Sequence, residues 1–560
     1  MLIRILFPLL ARMAKRRRDL HERHAKRLRE HQASVLLEKI RANAESSFGI
    51  DHRFDSIRSV DDFRRRVPLS TYEALQPYIK KVMEGDEQAL FGPSQRVEFF
   101  TITSGTTQRS KYIPITKGFA NELRTGWLVW MRYTEEDHPG ALRGRGLLIG
   151  SPLREKSASG VPCGSTNSFL SALLPRYVRG AYALPESATF VQDGPTKFYV
   201  ALRLGAMHDV STICTPLPRT ILLLARTAAE HHETLIRDLR DGTLTFFVEP
   251  EARLARELRG RVKPDPGTAE RLEALRRKSG KLLLTDLWPR LSLLACWKGG
   301  PLRNHLARFA DYFGELPVRD IGLVASEGRI TIPMTSEGSA GLLDLTGNFY
   351  EFIPVEDADS SSPTALLAYE LERDRSYYVV LTTSGGLYRY NINDIVRVVD
   401  FHFQAPVIDF ENKGTGVTSI MGEKISEFQV VQAVGEALQD PGRSVDMFTV
   451  VPQWADPPFY AVLMEEGVIQ AQPERDFVTA FDSVLQRLNI QYEAERKLNR
   501  LGPARLWTVP AGTWDRYRDA KIRLRDAAPE QYKHIYLEKD LAFLEKLEEA
   551  TGDKVARMIS

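Results

Sequence analysis

The sequence predicts an α/β protein with two domains: a large N-terminal domain with doubly wound sheets and a β-rich subdomain, and a smaller α+β C-terminal domain. The chain has 560 residues, which exceeds the roughly 250–300 residues at which single hydrophobic cores stop growing. Between 140 and 330, short apolar runs alternate with helical patterns, as in parallel sheets with crossover helices. From 340 to 400 short strands follow one another between glycine-containing turns, which predicts the β-rich subdomain.

The individual elements follow from local periodicity. Before residue 140 we predict a helical region over 11–45, a strand over 97–102 and a helix over 117–133. In the alternating part we predict strands at 146–149, 212–214 and 291–295 and a helix over 222–241. In the β-rich part the predicted strands are 348–354, 365–371, 377–383, 387–390 and 395–399.

A polar stretch with one proline and two glycines marks the predicted domain boundary. We place the large domain at 1–405, the connection at 406–417 and the small domain at 418–560. In the small domain the patterns predict helices at 426–438, 474–488 and 490–497, and strands at 446–451, 460–465 and 504–509. No internal repeat or low-complexity tract interrupts this organisation.

Composition excludes several classes of protein. Hydrophobic residues make up 43% and charged residues 27% of the chain, and the net charge is only +3. These values are those of a globular protein without a global field for nucleic acid. The three cysteines are far apart, which fits a reducing cytosol, so we expect a cytoplasmic protein. We also expect a monomer. The basic residues of the N-terminal helical region are interleaved with acids, which favours a solvated helix face over membrane or RNA contact.

The segment from Thr103 to Lys111 follows a predicted strand and combines hydroxyl side chains, one glycine and two cations. Successive backbone N–H groups in such a turn, together with hydroxyl donors, form a concave anion site. Gly105 allows close approach because it has no side chain. The spacing of a Walker loop is absent. By itself, the segment is equally well explained as a surface turn.

Two further stretches place carboxylates after apolar runs. Glu327 follows Leu323 to Ala325 and is suited to hold Mg²⁺ on nucleotide phosphates. Asp394 ends the stretch Tyr388 to Asp394 and is suited to accept hydrogen bonds from ribose hydroxyls. Each carboxylate taken singly is better explained as a helix cap or a surface ion pair.

Taken together and in this order, the three stretches resemble the nucleotide motifs of the acyl-acid amido synthetases, a branch of the adenylate-forming superfamily. TSGTTQRSKYIPIT is similar to the first motif, Ala325-Ser326-Glu327 to the second, and Tyr388-Arg389-Tyr390 with Asp394 to the third. The resemblance spans roughly residues 35–540. Asn393 stands where the family usually has glycine, and asparagine tolerates similar backbone angles.

The resemblance implies an ATP-dependent ligase that adenylates a carboxylic acid and transfers the acyl group to an amine, typically an amino acid, with Mg²⁺ bound. It implies a mobile C-terminal domain that moves about the 406–417 segment between the two half-reactions. The residues it assigns are Ser104, Gly105, Thr106 and Thr107 to the phosphates, Ser326, Phe349, Asp394 and Arg397 to the rest of the nucleotide, Glu327 to Mg²⁺, and Lys533 to charge neutralisation during adenylation.

Alternatives differ in class. A thioester-forming ligase such as an acyl-CoA synthetase shares the first half-reaction, and no residue excludes it. A non-catalytic relative that binds nucleotide or acid is disfavoured because the proposed site residues are all retained. Metalloprotease and serine hydrolase motifs are absent. The acid is not specified; the segment 120–240 should form its pocket, and its residues Trp127, Trp130, Arg132, Tyr133 and Met207 suggest an apolar or aromatic acid.

Overall fold

A computed structural model describes two compact units of the chain: Met1–Gly299 with Tyr312–Phe410, and Gly300–Asp311 with Glu411–Ser560. The described residues are 2–103, 111–150, 153–164, 179–280, 282–299, 306, 308–358, 360, 362–414, 417–418, 420, 423, 425–438, 445–469, 473–497, 500–525 and 532–557. The loop residues Ser104, Gly105, Thr106 and Thr107 lie outside them.

The helices before the unit boundary surround two kinds of sheet. In chain order they are α1 (Leu2–Lys26), α2 (Leu28–Ala42), α3 (Ser47–Asp51), α4 (Val60–Arg66), α5 (Tyr72–Glu84), α6 (Lys117–Asp137), α7 (Gly194–Gly205), α8 (Pro218–Glu230), α9 (His232–Asp241), α10 (Ala252–Arg259), α11 (Pro266–Ser279), α12 (Leu284–Leu287) and α13 (Phe309–Phe313). Single 3₁₀ turns occur at Phe54–Ser56, Glu87–Ala89, Glu186–Phe190 and Val355–Asp357. Side-chain caps start several helices: Thr116 accepts from the N–H of Phe119 at 3.2 Å at the start of α6.

Two four-stranded sheets occupy the first half of unit one. Their strands are β1 (Val97–Thr103), β2 (Lys111–Thr116), β3 (Arg145–Leu148), β4 (Leu153–Lys156), β5 (Pro162–Gly164), β6 (Val210–Cys214), β7 (Leu293–Ala295) and β8 (Val318–Arg319). One sheet has the order β2-β1-β5-β4 and mixed directions. The other, β3-β6-β7-β8, is parallel throughout, with helices in its crossovers. The predicted parallel part of the fold is therefore confirmed.

A hairpin and a seven-stranded sheet complete unit one. The hairpin consists of β9 (Val324–Ala325) and β10 (Gly328–Arg329). The sheet has the order β11-β12-β17-β16-β15-β13-β14. Its strands are β11 (Thr331–Ile332), β12 (Gly341–Leu343), β13 (Phe349–Pro354), β14 (Leu366–Leu367), β15 (Ser376–Thr382), β16 (Tyr390–His402) and β17 (Ala405–Lys413). Buried side chains of α2 to α5 and of this sheet share one hydrophobic core.

Three predicted segments of the β-rich part need correction. The strand predicted at 365–371 is only β14, and of 387–390 only Tyr390 is in a strand. The predicted connection at 406–417 begins inside β17, and the boundary between the units falls at Phe410. The strand forms because Val407 and Ile408 are buried and pair with β12. In the sequence, the polar residues that follow Ile408 made the whole segment look like a connection and not a strand.

Unit two is a four-stranded sheet covered by helices on both faces. Its strands are β18 (Val417–Thr418) and β19 (Ile425–Ser426), which form a separate pair, and β20 (Thr449–Gln453), β21 (Phe459–Glu465), β22 (Arg505–Val509) and β23 (Ala556–Arg557), in sheet order. Its helices are α14 (Glu427–Ala437), α15 (Glu474–Leu488), α16 (Ile490–Lys497), α17 (Thr513–Arg525) and α18 (Phe543–Thr551).

Successive side chains along the strands of unit two point to opposite faces of the sheet, so the unit has two hydrophobic cores, one on each face. Val450 packs with residues of α14 and α15, while the next residue, Val451, packs with residues of α17 and α18. Ser426 caps α14 by a capping box with Gln429, whose two hydrogen bonds are 3.2 and 3.0 Å long. The predicted α+β character of this part is confirmed.

Candidate active site

The turn of the β9–β10 hairpin carries the predicted magnesium ligand. Ala325 pairs with Gly328, so Ser326 and Glu327 form the two residues between the strands. Both side chains are partly exposed. A Cβ atom on Gly328 would lie 2.9 Å from Nδ2 of Asn348, so any larger residue after Glu327 would have to displace the Asn348 side chain.

A bulge in β16 orients Asp394. The register between β15 and β16 shifts between Asn391 and Ile395, and Asn393 within this stretch has a φ of 61°. The Oδ1 atom of Asn391 accepts the N–H of Asn393 at 2.8 Å. Asp394 is buried, with 3% of its surface exposed. Asparagine thus adopts the left-handed conformation that glycine would adopt here, as predicted from its tolerance of these angles.

This bulge leads to a prediction for Asn393. Asn393→Gly should preserve ATP affinity, whereas Asn393→Val should weaken it about tenfold, because a β-branched residue at positive φ costs on the order of 1–2 kcal/mol and shifts Asp394. Isothermal titration with ATP measures the difference. Asp400→Val, at an exposed position of the same strand, is the control and should bind normally. Equal affinity of the valine and glycine variants at residue 393 would contradict a role of the bulge.

The arginine of the third motif, Arg389, is held by buried hydrogen bonds within unit one. Arg389 Nε and Nη2 donate to the two carboxylate oxygens of Glu351 at 2.8 and 2.9 Å, and Arg64 Nε donates to the same carboxylate at 2.9 Å. Glu351 is 1% exposed and Arg389 is 7% exposed. Nη1 of Arg389 donates to the carbonyl of Val67 at 2.9 Å. Arg389 therefore fastens β16 to β13 and to the segment after α4.

The same motif holds the segment before α5. The N–H of Ser70 donates to the carbonyl of Arg389 at 2.8 Å, and the N–H of Asn391 donates to the carbonyl of Ser70 at 3.0 Å. The Ser70 hydroxyl donates to the carbonyl of Tyr388 at 2.7 Å. These bonds fix the residue two positions ahead of Tyr72, so the start of α5 lies beside Tyr390.

Three chain segments, the β9–β10 hairpin, the start of α5 and β16, carry charged groups close to Tyr390. Burial raises the pKa of Tyr390 well above its usual value, and the nearby charges of Glu327, Glu73 and Asp394 raise it further. The tyrosine is 2% exposed. A tyrosine hydroxyl is protonated at neutral pH, and the raised pKa keeps it a hydrogen-bond donor in more alkaline solution as well. The second and third motifs are therefore brought together in unit one, with the start of α5 added to them.

Lys111, the last residue of the predicted phosphate loop, lies close to Tyr72 and Glu73 at the start of α5. Thr103 and Lys111 are register partners in the β1–β2 pair, so the two ends of the loop are adjacent. The Nζ atom of Lys111 lies 5.3 Å from the centre of the Tyr72 ring. A hydrogen bond from Thr71 lowers the pKa of Glu73, and the charge of Lys111 lowers it further. We define Glu73, Lys111, Glu327, Tyr390 and Asp394 as the nucleotide cluster.

Two predicted nucleotide contacts are placed differently. Phe349 is 1% exposed, and its ring packs edge-on against Phe63 at 6.2 Å in the main core. This burial gives no support to the assignment of Phe349 to the nucleotide, because its ring is enclosed among core residues. Arg397 is exposed and lies opposite Ser376 in the sheet. Its assistance to Asp394 stays a prediction.

Lys533 lies in unit two and its side chain is exposed. The segment around it runs along β20: the N–H of Val450 donates to the carbonyl of Tyr536 at 2.8 Å. Burial raises the pKa of Glu427, at the start of α14, to about 7, while the charge of Lys533 acts to lower it. The role of Lys533 in adenylation stays a prediction.

The residues predicted for the acid pocket divide into two groups. Trp130 and Tyr133 are buried, and Nε1 of Trp130 donates to the carbonyl of Asp320 at 2.9 Å. Trp127 is partly exposed, and the guanidinium of Arg329 lies 4.3 Å from its ring centre. Arg329 lies in β10, two residues after Glu327, so Trp127 packs against the strand that follows Glu327.

Sequence reasoning missed Glu73 and Glu351. Glu73 had an available signal, because Thr71 followed by acidic residues at the start of an amphipathic pattern marks a helix start. Glu351 had none, since its role depends on an ion pair with a residue 38 positions away.

In the described part of the chain, no group of three or more histidine, cysteine, aspartate or glutamate side chains could hold a metal ion by itself. Mg²⁺ commonly binds through one or two carboxylates together with substrate phosphates. A single carboxylate such as the predicted ligand Glu327 is compatible with that mode. Within the described helices, none is long and apolar enough to cross a bilayer.

Comparison with known proteins identifies related sequences over nearly the whole chain. Residues 17–318, 341–413 and 428–541 match the models of the GH3 family N-terminal, central and C-terminal domains. The chain is 28% identical over 505 residues to a probable indole-3-acetic acid-amido synthetase of Oryza sativa subsp. japonica, covering 85% of this chain and 81% of that protein. It is 26% identical over 491 residues to a jasmonoyl-L-amino acid synthetase of Nicotiana attenuata, covering 83% of each.

A solved structure has the same architecture. The AtGH3.15 acyl acid amido synthetase in complex with 2,4-DB superposes with a TM-score of 0.82 at 20% identity, covering 98% of each chain. This agreement confirms the predicted fold class.

Proposed function

The chain belongs to the GH3 family, and on this premise we propose that it ligates a small carboxylic acid to an amino acid through an acyl-adenylate, with ATP as co-substrate. The observation that carries the proposal is the presence of all three family domains in order. The location of Glu327 and Asp394 near Tyr390 supports it, because the charges of both carboxylates act on that buried hydroxyl.

In the first half-reaction a carboxylate oxygen of the acid attacks the α-phosphorus of ATP. The new O–P bond gives the acyl-adenylate, and the bond to the pyrophosphate oxygen breaks. Two anions must approach one another, so catalysis depends on positioning and on charge neutralisation. Lys111 and the hydroxyls of Ser104, Thr106 and Thr107 would hold the phosphates. Asp394 would accept from ribose hydroxyls, and Lys533 would supply further positive charge.

Mg²⁺, when bound, would neutralise phosphate charge, and Glu327 would hold it. The cluster supports this assignment because Glu327 is partly exposed at the tip of a hairpin. Glu73 and Asp394 flank Tyr390 on other segments. Their negative charge would otherwise oppose the phosphates, so the cluster needs a compensating cation.

In the second half-reaction the amino nitrogen of the acceptor attacks the activated carbonyl carbon. The new C–N bond forms, the C–O bond to AMP breaks, and the amine loses a proton. We place the enzyme in the cytoplasm, which the unpaired thiols of Cys163, Cys214 and Cys296 support, and we expect a monomer.

Acid-dependent exchange of labelled pyrophosphate into ATP tests the first half-reaction. The acid panel should include indole-3-acetic and jasmonic acids, since relatives are named for them, with aliphatic and aromatic acids of other shapes. We expect exchange with at least one apolar acid. Failure across the panel would mean that the chain does not adenylate acids and would favour a non-catalytic binder.

A panel of acceptors distinguishes an amide-forming ligase from a thioester-forming ligase. Amino acids and CoA are offered with the active acid, and the products are identified by mass spectrometry. We expect an amide. A thioester formed with CoA and no amide would contradict the proposal and favour an acyl-CoA synthetase.

A further inference from the structure

The first half of α1 lies ahead of the family N-terminal domain, whose match begins at residue 17. The second half of the same helix is attached to unit one. Ala14, His21 and Ala25 are buried on it, and Arg18 Nη2 lies 2.8 Å from a carboxylate oxygen of Glu136 in α6. The first half therefore continues a helix whose second half is anchored, and between Phe7 and Met13 no side chain is fully buried.

Apolar side chains on this half face solvent. Leu9 is 57% exposed and Met13 is 44% exposed, and Pro8 between the helix start and Leu9 is also exposed. Leu9 and Met13 are four residues apart, so they lie on one helix face. The nearest chain segment ahead of them reads Leu-Ile-Arg-Ile-Leu. Adjacent exposed apolar residues on a helix mark an interaction surface more often than scattered ones do.

Exposed basic residues surround this apolar pair. Arg12, Lys15, Arg16 and Arg17 are exposed, and in the described part of the chain none of them forms an ion pair within 4.0 Å. The first eighteen residues contain no aspartate or glutamate, although the whole chain has a net charge of only +3. The N-terminal helix is thus locally cationic in an almost neutral protein.

The acids that favoured a solvated helix are placed elsewhere. Asp19 and Glu22 lie 3.4 and 3.0 Å from the guanidinium of Arg18, so they neutralise the arginine that is already paired with Glu136. They leave the charge of Arg12 and of Lys15 to Arg17 uncompensated. The interleaving seen in the sequence therefore does not extend to the exposed half of the helix.

We propose that the first half of α1 docks on the surface of an anionic phospholipid bilayer. Leu9 and Met13 enter the boundary between headgroups and acyl chains, and Arg12, Lys15, Arg16 and Arg17 lie beside the lipid phosphates. Helices with exposed apolar residues flanked by lysine and arginine bind interfaces in this way. The helix lies on the membrane without spanning it, because its basic residues leave no apolar stretch long enough to cross the bilayer in the described helices. This inference is independent of the reaction that the enzyme catalyses.

Co-sedimentation of the full chain with vesicles tests the proposal. We expect binding to vesicles of phosphatidylserine mixed with phosphatidylcholine, much weaker binding to phosphatidylcholine alone, and loss of binding at high salt. Each basic residue near an anionic surface strengthens partitioning about fivefold. The variant Lys15→Gln, Arg16→Gln, Arg17→Gln should therefore bind on the order of 100-fold more weakly, and Leu9→Glu at least about tenfold more weakly.

Matched controls separate local from global effects. Arg253→Gln, Arg256→Gln, Lys278→Gln removes three exposed basic residues elsewhere and changes the net charge equally. Ile50→Glu places a carboxylate at another exposed apolar position, 65% exposed. Both should bind vesicles like the unmodified chain. Circular dichroism and thermal midpoints show that every variant is folded.

Several outcomes would overturn the proposal. Equal binding to neutral and anionic vesicles would remove the charge argument, and equal weakening by the control variants would remove the assignment to α1. Concentration-dependent self-association that Leu9→Glu abolishes, without vesicle binding, would identify the face as a contact between copies. Retention on RNA with no vesicle binding would identify a nucleic-acid contact.

Discussion

Replacing Glu327 with glutamine is expected to lower the rate of acid-dependent pyrophosphate exchange by about 100- to 1,000-fold, the usual effect of removing one preorganised electrostatic group from an active site. The substitution conserves the shape of the side chain at the tip of the β9–β10 hairpin. It removes a charge that acts on Tyr390 and, in the proposed function, the protein ligand of Mg²⁺. The hairpin itself should persist, because its backbone pairing does not involve the carboxylate.

The measurement is exchange rate as a function of magnesium concentration at saturating ATP. Glu327→Gln should require more Mg²⁺ for half of its remaining rate. Glu337→Gln, an exposed position ten residues later, is the matched control and should behave like the unmodified enzyme. A large loss of rate with an unchanged magnesium dependence would assign Glu327 to the cluster but not to the metal. Unchanged exchange would remove Glu327 from the mechanism.

Replacing Arg389 with alanine is expected to lower the free energy of unfolding of unit one by about 3–5 kcal/mol, the usual effect of breaking a buried ion pair. Arg389 makes two charge-assisted hydrogen bonds to Glu351, at 2.8 and 2.9 Å. Its removal leaves the Glu351 carboxylate, 1% exposed, with Arg64 as the remaining cation. The bonds between Arg389 and the carbonyl of Val67 would also be lost.

Denaturant titration followed by tryptophan fluorescence measures this change, with calorimetry to resolve the transitions of the two units. Arg373→Ala is the control. Its ion pair with Asp400 is 3.6 Å long and both side chains are 62% exposed, so the unfolding midpoint should hardly change. Arg389→Lys should recover part of the stability, since lysine restores the charge but not the forked geometry. A midpoint for Arg389→Ala equal to that of the control would show that the buried pair contributes nothing.

Much of the fold could be predicted because its elements have local causes. The helices predicted at 474–488 and 490–497 have the bounds of α15 and α16, since their apolar periodicity and their ends are both encoded locally. The connection predicted at 406–417 was wrong in its first half. Whether a short apolar run such as Val407-Ile408 pairs in a sheet depends on a partner strand, here β12, that lies far away in the chain.

The residues of the candidate site likewise fall into those that sequence motifs predict and those that depend on tertiary contacts. Glu327 and Asp394 were found because residue types in a fixed order along the chain resemble a family, and the family was confirmed. The assignment of Phe349 gains no support from the structure, because a strand residue faces either the core or a ligand, and sequence position alone does not decide which. Glu351 was missed because its role arises from an ion pair with a distant residue. Glu73 was missed although its place at a helix start has a local signal in the sequence.

The sequence by itself determined the family, the reaction class and most secondary structure, because these depend on motifs and periodicities that are local. Only the tertiary structure showed that Arg389 pairs with Glu351 in β13 and that the charges of three carboxylates act on Tyr390. It also showed that the acids beside Arg18 leave the basic start of α1 without compensating charge. The physical reason is that charge and burial act through space: a carboxylate raises a pKa or neutralises an arginine only where folding brings the two groups within a few ångströms.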